Sequence, residues 1–183
     1  MDVIALRKGG GEISGEVLLN GFPQEKGSFR RCSGYVEQFD VQSAELTIRE
    51  TIRFSAELRL DRTHPARTSP AEMDQHVNEM IAMFELQKQA DVLVGNEEEG
   101  GLTFEQKKRL SIAVELAASP SVLFLDEPTS VSFGNRLLSL GSLLRQFRFV
   151  VSNQCSMFFC LPGVGLKSCS SCHELSQKDH RYW

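Results

Sequence analysis

A chain of 183 residues suffices for one domain with a buried core. Its 41% hydrophobic and 24% charged residues are ordinary for a globular protein, and a net charge of −4 offers no basic surface to nucleic acid or to an anionic membrane. The average conceals a division. Residues 1–130 carry a net −8, whereas residues 131–183 carry +4 and four of the five cysteines, Cys155, Cys160, Cys169 and Cys172. The apolar run at the amino terminus is too short for a signal peptide, and nowhere are there about 18 uninterrupted apolar residues to span a bilayer. By itself, such a chain is expected to be soluble and intracellular.

In chain order, Val3-Ile4-Ala5-Leu6 reads as the last turns of a helix stopped by Gly9-Gly10-Gly11. GEVLLNG, 15–21, reads as a strand closed by an Asn-Gly turn. Arg31–Val36 is a second strand candidate leading into Glu37-Gln38-Phe39-Asp40. The period then becomes helical, with Ile48, Ile52, Ser55 and Leu58 marking an amphipathic helix over about 47–59. Ser69-Pro70-Ala71-Glu72 is a capping box with proline in the first helical position, and Met73, Val77, Met80, Ile81 and Phe84 form one core-facing stripe behind it. Residues 97–101 read as a loop. Thr103-Phe104-Glu105-Gln106 is another capping box, opening a helix whose buried face is Leu110, Ala113, Val114 and Ala117 and which Ser119-Pro120 ends. Val122–Leu125 is wholly apolar, as a parallel strand covered on both faces requires. The alternation predicts an α/β fold without internal repeats.

Asp126 and Glu127 come directly after that strand, where ligands bind in α/β sheets. One carboxylate could hold Mg²⁺ through water and the other polarise an attacking water; an acidic loop before Pro128 is the plainer alternative. The longer string GLTFEQKKRLSIAVELAASPSVLFLDEPTS, 101–130, resembles the signature helix and Walker B segment of an ATP-binding cassette transporter, in the G-subfamily, pleiotropic-drug-resistance form. GYVEQFD, 34–40, is similar to that family's Q-loop, LTIRETIRFSAELRL, 46–60, to the helix after it, and residues 1–23 to the segment just downstream of the phosphate loop. The resemblance covers residues 1–130. It implies an incomplete P-loop NTPase domain with a helical subdomain over about 43–100, and leaves 131–183 as an unassigned, irregular and poorly ordered tail.

Residue by residue, the resemblance implies that Gln38 meets the Mg²⁺ and the attacking water and senses the transmembrane domain. Asp126 becomes the Mg²⁺-associated carboxylate and Glu127 the catalytic one. Leu102, Thr103, Phe104, Glu105 and Gln106 occupy the place of Leu-Ser-Gly-Gly-Gln, which caps the ATP of the opposite nucleotide-binding domain. Implied cofactors are ATP and Mg²⁺; implied partners are a second nucleotide-binding domain and transmembrane domains, with a position on the cytoplasmic side of a membrane.

The departures are specific. Phe104 and Glu105 replace both glycines, so a stable, acidic helix start stands where backbone should approach a γ-phosphate. Such a degenerate signature resembles the C-terminal nucleotide-binding half of these transporters. No Gly-Lys pair occurs, so the loop G-x-x-x-x-G-K-[ST] is missing, and Met1 corresponds to a position just after it. Beyond Ser130 the chain reads Val131-Ser132-Phe133-Gly134 instead of the D-loop's Gly-Leu-Asp, and none of His64, His76, His173 or His180 has the context of the family's switch histidine. The expectation is an exporter's ATP-hydrolysing region, ATPase-deficient as this isolated chain. The alternatives are a non-catalytic interaction fragment docking on an intact transporter through residues 43–100, or a non-functional truncated gene product. In the tail, Cys169-Ser170-Ser171-Cys172-His173 fits the c-type haem pattern and could offer thiolates to zinc with Cys155 and Cys160. With no targeting segment and irregular spacing, neither haem nor zinc is expected, and the tail reads as intron, frameshifted or unrelated sequence.

Overall fold

The computed structural model describes residues 2–10, 15–38, 42–95 and 100–126, together with the strand backbones 148–153, 156–160 and 166–168. The chain opens on a helix-ending turn. The Leu6 N–H reaches the Val3 carbonyl at 3.2 Å and the Arg7 N–H reaches that of Asp2 at 2.8 Å, with Leu6 left-handed at φ 56°. The stop is therefore Leu6, three residues before the glycines that the sequence pointed to. A leucine bears this conformation because Leu6 and the buried Ala5 pack against Phe29, Val122 and Phe124.

Strand β1 (Val17–Leu19) ends in the expected Asn-Gly turn, which joins it in a hairpin to a second short strand, β2 (Phe22–Pro23). Asn20 and Gly21 both have positive φ, 53° and 87°, the pairing that a two-residue turn matching strand twist demands. Helix α1 (Lys26–Cys32) was not legible: it is a single pair of turns whose one fully buried residue is Phe29, with no side-chain cap. It takes the first two residues of the expected strand, so β3 runs from Ser33 to Val36.

Of the three longer helices, the last two begin at the start signals read from the sequence, and the first begins on a capping box at Thr47 that its periodicity did not reveal. In α2 (Ile48–Arg59) the Thr47 hydroxyl accepts from the Glu50 N–H, and the Glu50 carboxylate accepts from the Thr47 N–H at 2.9 Å. Ile48, Ile52 and Ser55 are buried as the periodicity predicts, whereas Leu58 is exposed and Thr51 and Ala56 complete the inner face. Helix α3 (Pro70–Met83) starts on Ser69 and buries Met73, Val77, Met80, Ile81 and, at its cap, Phe84. Helix α4 (Phe104–Ala117) starts on Thr103, buries Leu110, Ala113 and Ala117 as expected, holds Val114 only half-buried at the core's margin, and ends where Ser119 turns left-handed before Pro120.

Strand β4 (Val122–Asp126) pairs in parallel with β3, with Val36 opposite Leu125. Alternation gives it two different faces. Leu123 and Leu125 join Val36 in the large core built by α2, α3 and α4, while Val122 and Phe124 face Phe29 and Ala5. Beyond this pair the sheet is mixed. Strand β6 (Ser156–Cys160) lies antiparallel to β4, and β5 (Arg148–Asn153) antiparallel to β6, in the order β3-β4-β6-β5. Strand β7 (Leu166–Ser168) pairs antiparallel with β1 in a separate three-stranded sheet. The Cys169–His173 motif lies outside the described residues.

Gly34 shows how closely β3 and α4 approach. A Cβ there would stand 2.9 Å from a Glu115 carboxylate oxygen and 2.9 Å from a Leu123 methyl. The Glu115 carboxylate in turn accepts from the Tyr35 N–H at 3.1 Å and from both terminal nitrogens of Arg59, at 2.7 and 2.8 Å. Gly34→Ala is expected to destabilise the fold by about 1–3 kcal/mol through this overpacking. That should read as a fall of several degrees in a thermal melt, whereas Gly27→Ala, in open space within α1, should leave the melt unchanged or raise it slightly.

Candidate functional site

Parallel pairing, with Val36 opposite Leu125, sends the carboxyl ends of β3 and β4 to the same edge of the sheet, where Asp126 closes β4 and Glu37-Gln38 follow β3. At this edge the half-buried Asp126 accepts from the Tyr35 hydroxyl at 3.3 Å. The same hydroxyl lies 3.0 Å from the Asp2 carboxylate. A phenol has one proton to donate, so Tyr35 shares it between two carboxylates. Burial, then the bond to Asp2 and the charge of Asp126, push the Tyr35 pKa upward, which keeps the phenol a neutral donor. The Arg7 guanidinium sits 4.2 Å from the centre of the Tyr35 ring and forms an ion pair with Glu37. Asp2 and Arg7 thereby fasten the opening turn to Tyr35 of β3 and to Glu37 just beyond its end.

From α4, the Lys108 ammonium donates to the carbonyls of Glu37 at 2.5 Å and Gln38 at 3.1 Å. Gln38 itself is exposed. The structure therefore brings the Gln38 segment and Asp126 to one edge; Glu127 lies outside the described residues. Tyr35, Arg7 and Lys108 were missed. An aromatic with a polar tip inside a strand, two residues before the glutamine-bearing loop, was a usable signal for Tyr35; for Lys108 no pattern announced burial.

At the start of α4, Leu102 is buried and its N–H meets the Val94 carbonyl at 3.0 Å. The Thr103 hydroxyl accepts from the Gln106 N–H at 3.3 Å, and the Gln106 side-chain oxygen accepts from the Thr103 N–H at 3.0 Å. Phe104 is exposed, and Glu105 forms an ion pair with Arg109, which also reaches Glu85 at 3.5 Å. These contacts cap the helix start partly with its own side chains and place a carboxylate on it, which does not fit an incoming phosphate. The other edge fits Mg²⁺ in a limited way. Asp126 can serve as one oxygen donor beside water and phosphate, and no group of three or more His, Cys, Asp or Glu stands together among the described residues.

His64 and His76 lie together elsewhere, ring centroids 5.3 Å apart, bridging the loop before α3 to the end of α4. The His64 Nδ1 accepts from the Ala66 N–H at 3.2 Å, and His76 Nε2 lies 3.0 Å from the Ala117 carbonyl. Burial, and secondarily His76, hold the His64 pKa below its usual value. Among the described residues no helix is long and apolar enough to cross a membrane.

Residues 5–130 match the family model described as ABC transporter. Over 130 residues the chain is 46% identical to ABC transporter G family member 38 of Oryza sativa subsp. japonica and 47% identical to ABC transporter G family member 36 of Arabidopsis thaliana. It is 46% identical to ABC transporter G family member 35 of Arabidopsis thaliana over the same length. These alignments take in 71% of this chain and only 8–9% of each relative, so the chain spans under a tenth of the length of the curated relatives it matches. The matched stretch contains the paired strand ends, the opening of α4 and all the helices between them, and on that footing the chain belongs to the ABC transporter family.

Proposed function

We propose that this chain forms part of the nucleotide-binding domain of an exporter of the pleiotropic-drug-resistance type, moving drugs or lipids across a membrane. One observation carries the reading: the Gln38 segment and Asp126 emerge side by side at the carboxyl edge of adjacent parallel strands. Asp126, with Gln38 beside it, would hold Mg²⁺, and Glu127 would polarise an attacking water. When bound, Mg²⁺ neutralises phosphate charge. The Tyr35 hydroxyl orients Asp126 for that task. Residues Leu102–Gln106 face the nucleotide of a second nucleotide-binding domain, and transmembrane domains dock on the cytoplasmic side of the membrane.

Activity of the 183 residues by themselves is weak on this reading. Phosphoryl transfer depends on positioning and charge neutralisation, and the sequence contains no Gly-Lys pair to cradle the phosphates. Titration of purified chain with fluorescent ATP should give a dissociation constant above about 1 mM. In an assembly that supplies Gly-Lys-Thr-Thr, Mg²⁺-dependent binding should appear and Asp126→Asn should weaken it at least tenfold, about 1.4 kcal/mol. Micromolar binding by the chain alone would refute the weak-activity half of the reading. An indifferent Asp126→Asn would refute the role of the carboxylate.

A second reading, a non-catalytic module docking on an intact transporter, draws support from Phe54 and Leu58. They stand one turn apart on α2 and are 61% and 67% exposed. If this reading holds, the chain should co-purify with an intact transporter and Phe54→Ser with Leu58→Ser should abolish that; absence of co-purification, or its survival in the double variant, would overturn docking through this face.

A further inference from the structure

We infer that Lys108 is a positioning residue for the Gln38 segment, setting where the strand ladder of β3 ends and the glutamine-bearing loop begins. The role given to Gln38 rests on the function proposed above; the positioning by Lys108 rests on geometry alone. Lysine almost never lies fully inside a protein, yet Lys108 is 1% exposed. A buried ammonium loses its hydration and must find replacement dipoles. Two of its three donors find them on consecutive residues, the carbonyls of Glu37 and Gln38.

Consecutive carbonyls in a strand point to opposite sides. Both can reach one cation only if the backbone leaves the ladder between Val36 and Gln38, and β3 indeed ends at Val36 with a bend at Gln38. The ammonium thus fixes a backbone shape that the strand alone would not adopt. Its stem comes from the second turn of α4, rigidly behind the Thr103 cap, so the position of the Gln38 backbone is set from that helix. Lys107, its neighbour, is half-exposed and makes an internal control.

The test is hydrogen exchange of the full 183-residue chain without nucleotide, monitored in peptides ending at Gln38. The Gln38 amide shares its peptide unit with the Glu37 carbonyl, so it should respond when the cation leaves. Lys108→Met keeps most of the apolar stem and should raise exchange there at least tenfold, with α2 and β4 unchanged. Lys108→Arg, which keeps the charge and the donors, should restore protection to within about threefold; Lys107→Met should change nothing. Should Lys108→Met fail to fold, Lys108→Gln carries the same expectation. Unchanged exchange at Gln38, or an equal rise across every element, would overturn the inference. In an ATP-driven assembly, Lys108→Met should then lower kcat with KM for ATP nearly constant. A normal kcat alongside the exchange change would count against the role given to Gln38, leaving the positioning intact.

Discussion

Phe124→Ala should lower the free energy of unfolding by about 3–5 kcal/mol, enough to leave a domain of this size marginal. Phe124 is fully buried on the face of β4 turned away from the large helical core. Its ring meets Phe29 edge-on with centroids 6.1 Å apart and lies 6.2 Å from Tyr35 in a stacked arrangement. Alanine would leave a cavity that neither ring can fill, since Phe29 is held by α1 and Tyr35 by its hydroxyl contacts. Urea unfolding monitored by circular dichroism measures the loss, and Leu123→Ala on the opposite face gives the comparison. The two should be of similar size. A loss under about 1 kcal/mol for Phe124→Ala would mean that the smaller core contributes little and that β4 is held from one side only.

The double change Phe104→Gly, Glu105→Gly should move two quantities in opposite directions. The capping pair of Thr103 and Gln106 survives, but two glycines in the first turn of α4 and the lost ion pair of Glu105 with Arg109 should cost about 1–2 kcal/mol of stability. The same change removes a carboxylate from the positive end of the helix and lets backbone N–H groups approach an anion. Under the proposed function, an assembly pairing this domain with an intact second one should then bind ATP at least tenfold more tightly at the site this helix faces. Fluorescent-nucleotide titration of that assembly reads the effect. Glu105→Gln separates charge from steric access, because it neutralises the carboxylate while keeping the side chain. An assembly with unchanged affinity after the double change would show that the start of α4 faces no phosphate.

The parts of the fold that could be read from the sequence are those in which one local rule acts alone. Asn20-Gly21 fixes its turn because both residues accept positive φ, and Thr103 and Ser69 announce helices because an exposed helix start needs a side-chain acceptor. Val122–Leu125 showed itself as a doubly covered strand because no polar residue interrupts it. Helix α1 escaped because seven residues with one apolar anchor carry no period. The helix end at Leu6 escaped because a leucine in left-handed conformation is stabilised by distant partners, Phe29 and Phe124, which no neighbouring residue reveals. Leu58 was assigned to the core since spacing cannot distinguish the inner stripe of α2 from its flank. At the candidate site, Asp126 and Gln38 were legible from their motifs. The hydroxyl of Tyr35 and the ammonium of Lys108 were not, because each reaches this edge through bonds to residues more than 30 positions away along the chain.

The carboxylate of Glu115 has a consequence for how this protein behaves in company. Among the described strands β3 lies at the rim of its sheet, and the Tyr35 N–H that takes the Glu115 oxygen is one that the β3–β4 ladder leaves pointing outward. An unpaired strand rim is a template onto which another chain's strand can add. Here the template is stopped by a side chain: the carboxylate sits over the vacancy left by the missing Cβ of Gly34 and is clamped from outside by the two arms of Arg59. An intruding strand would have to expel a charged pair before making its first main-chain bond. The arrangement that seats α4 against β3 therefore also guards the sheet against growing by self-association.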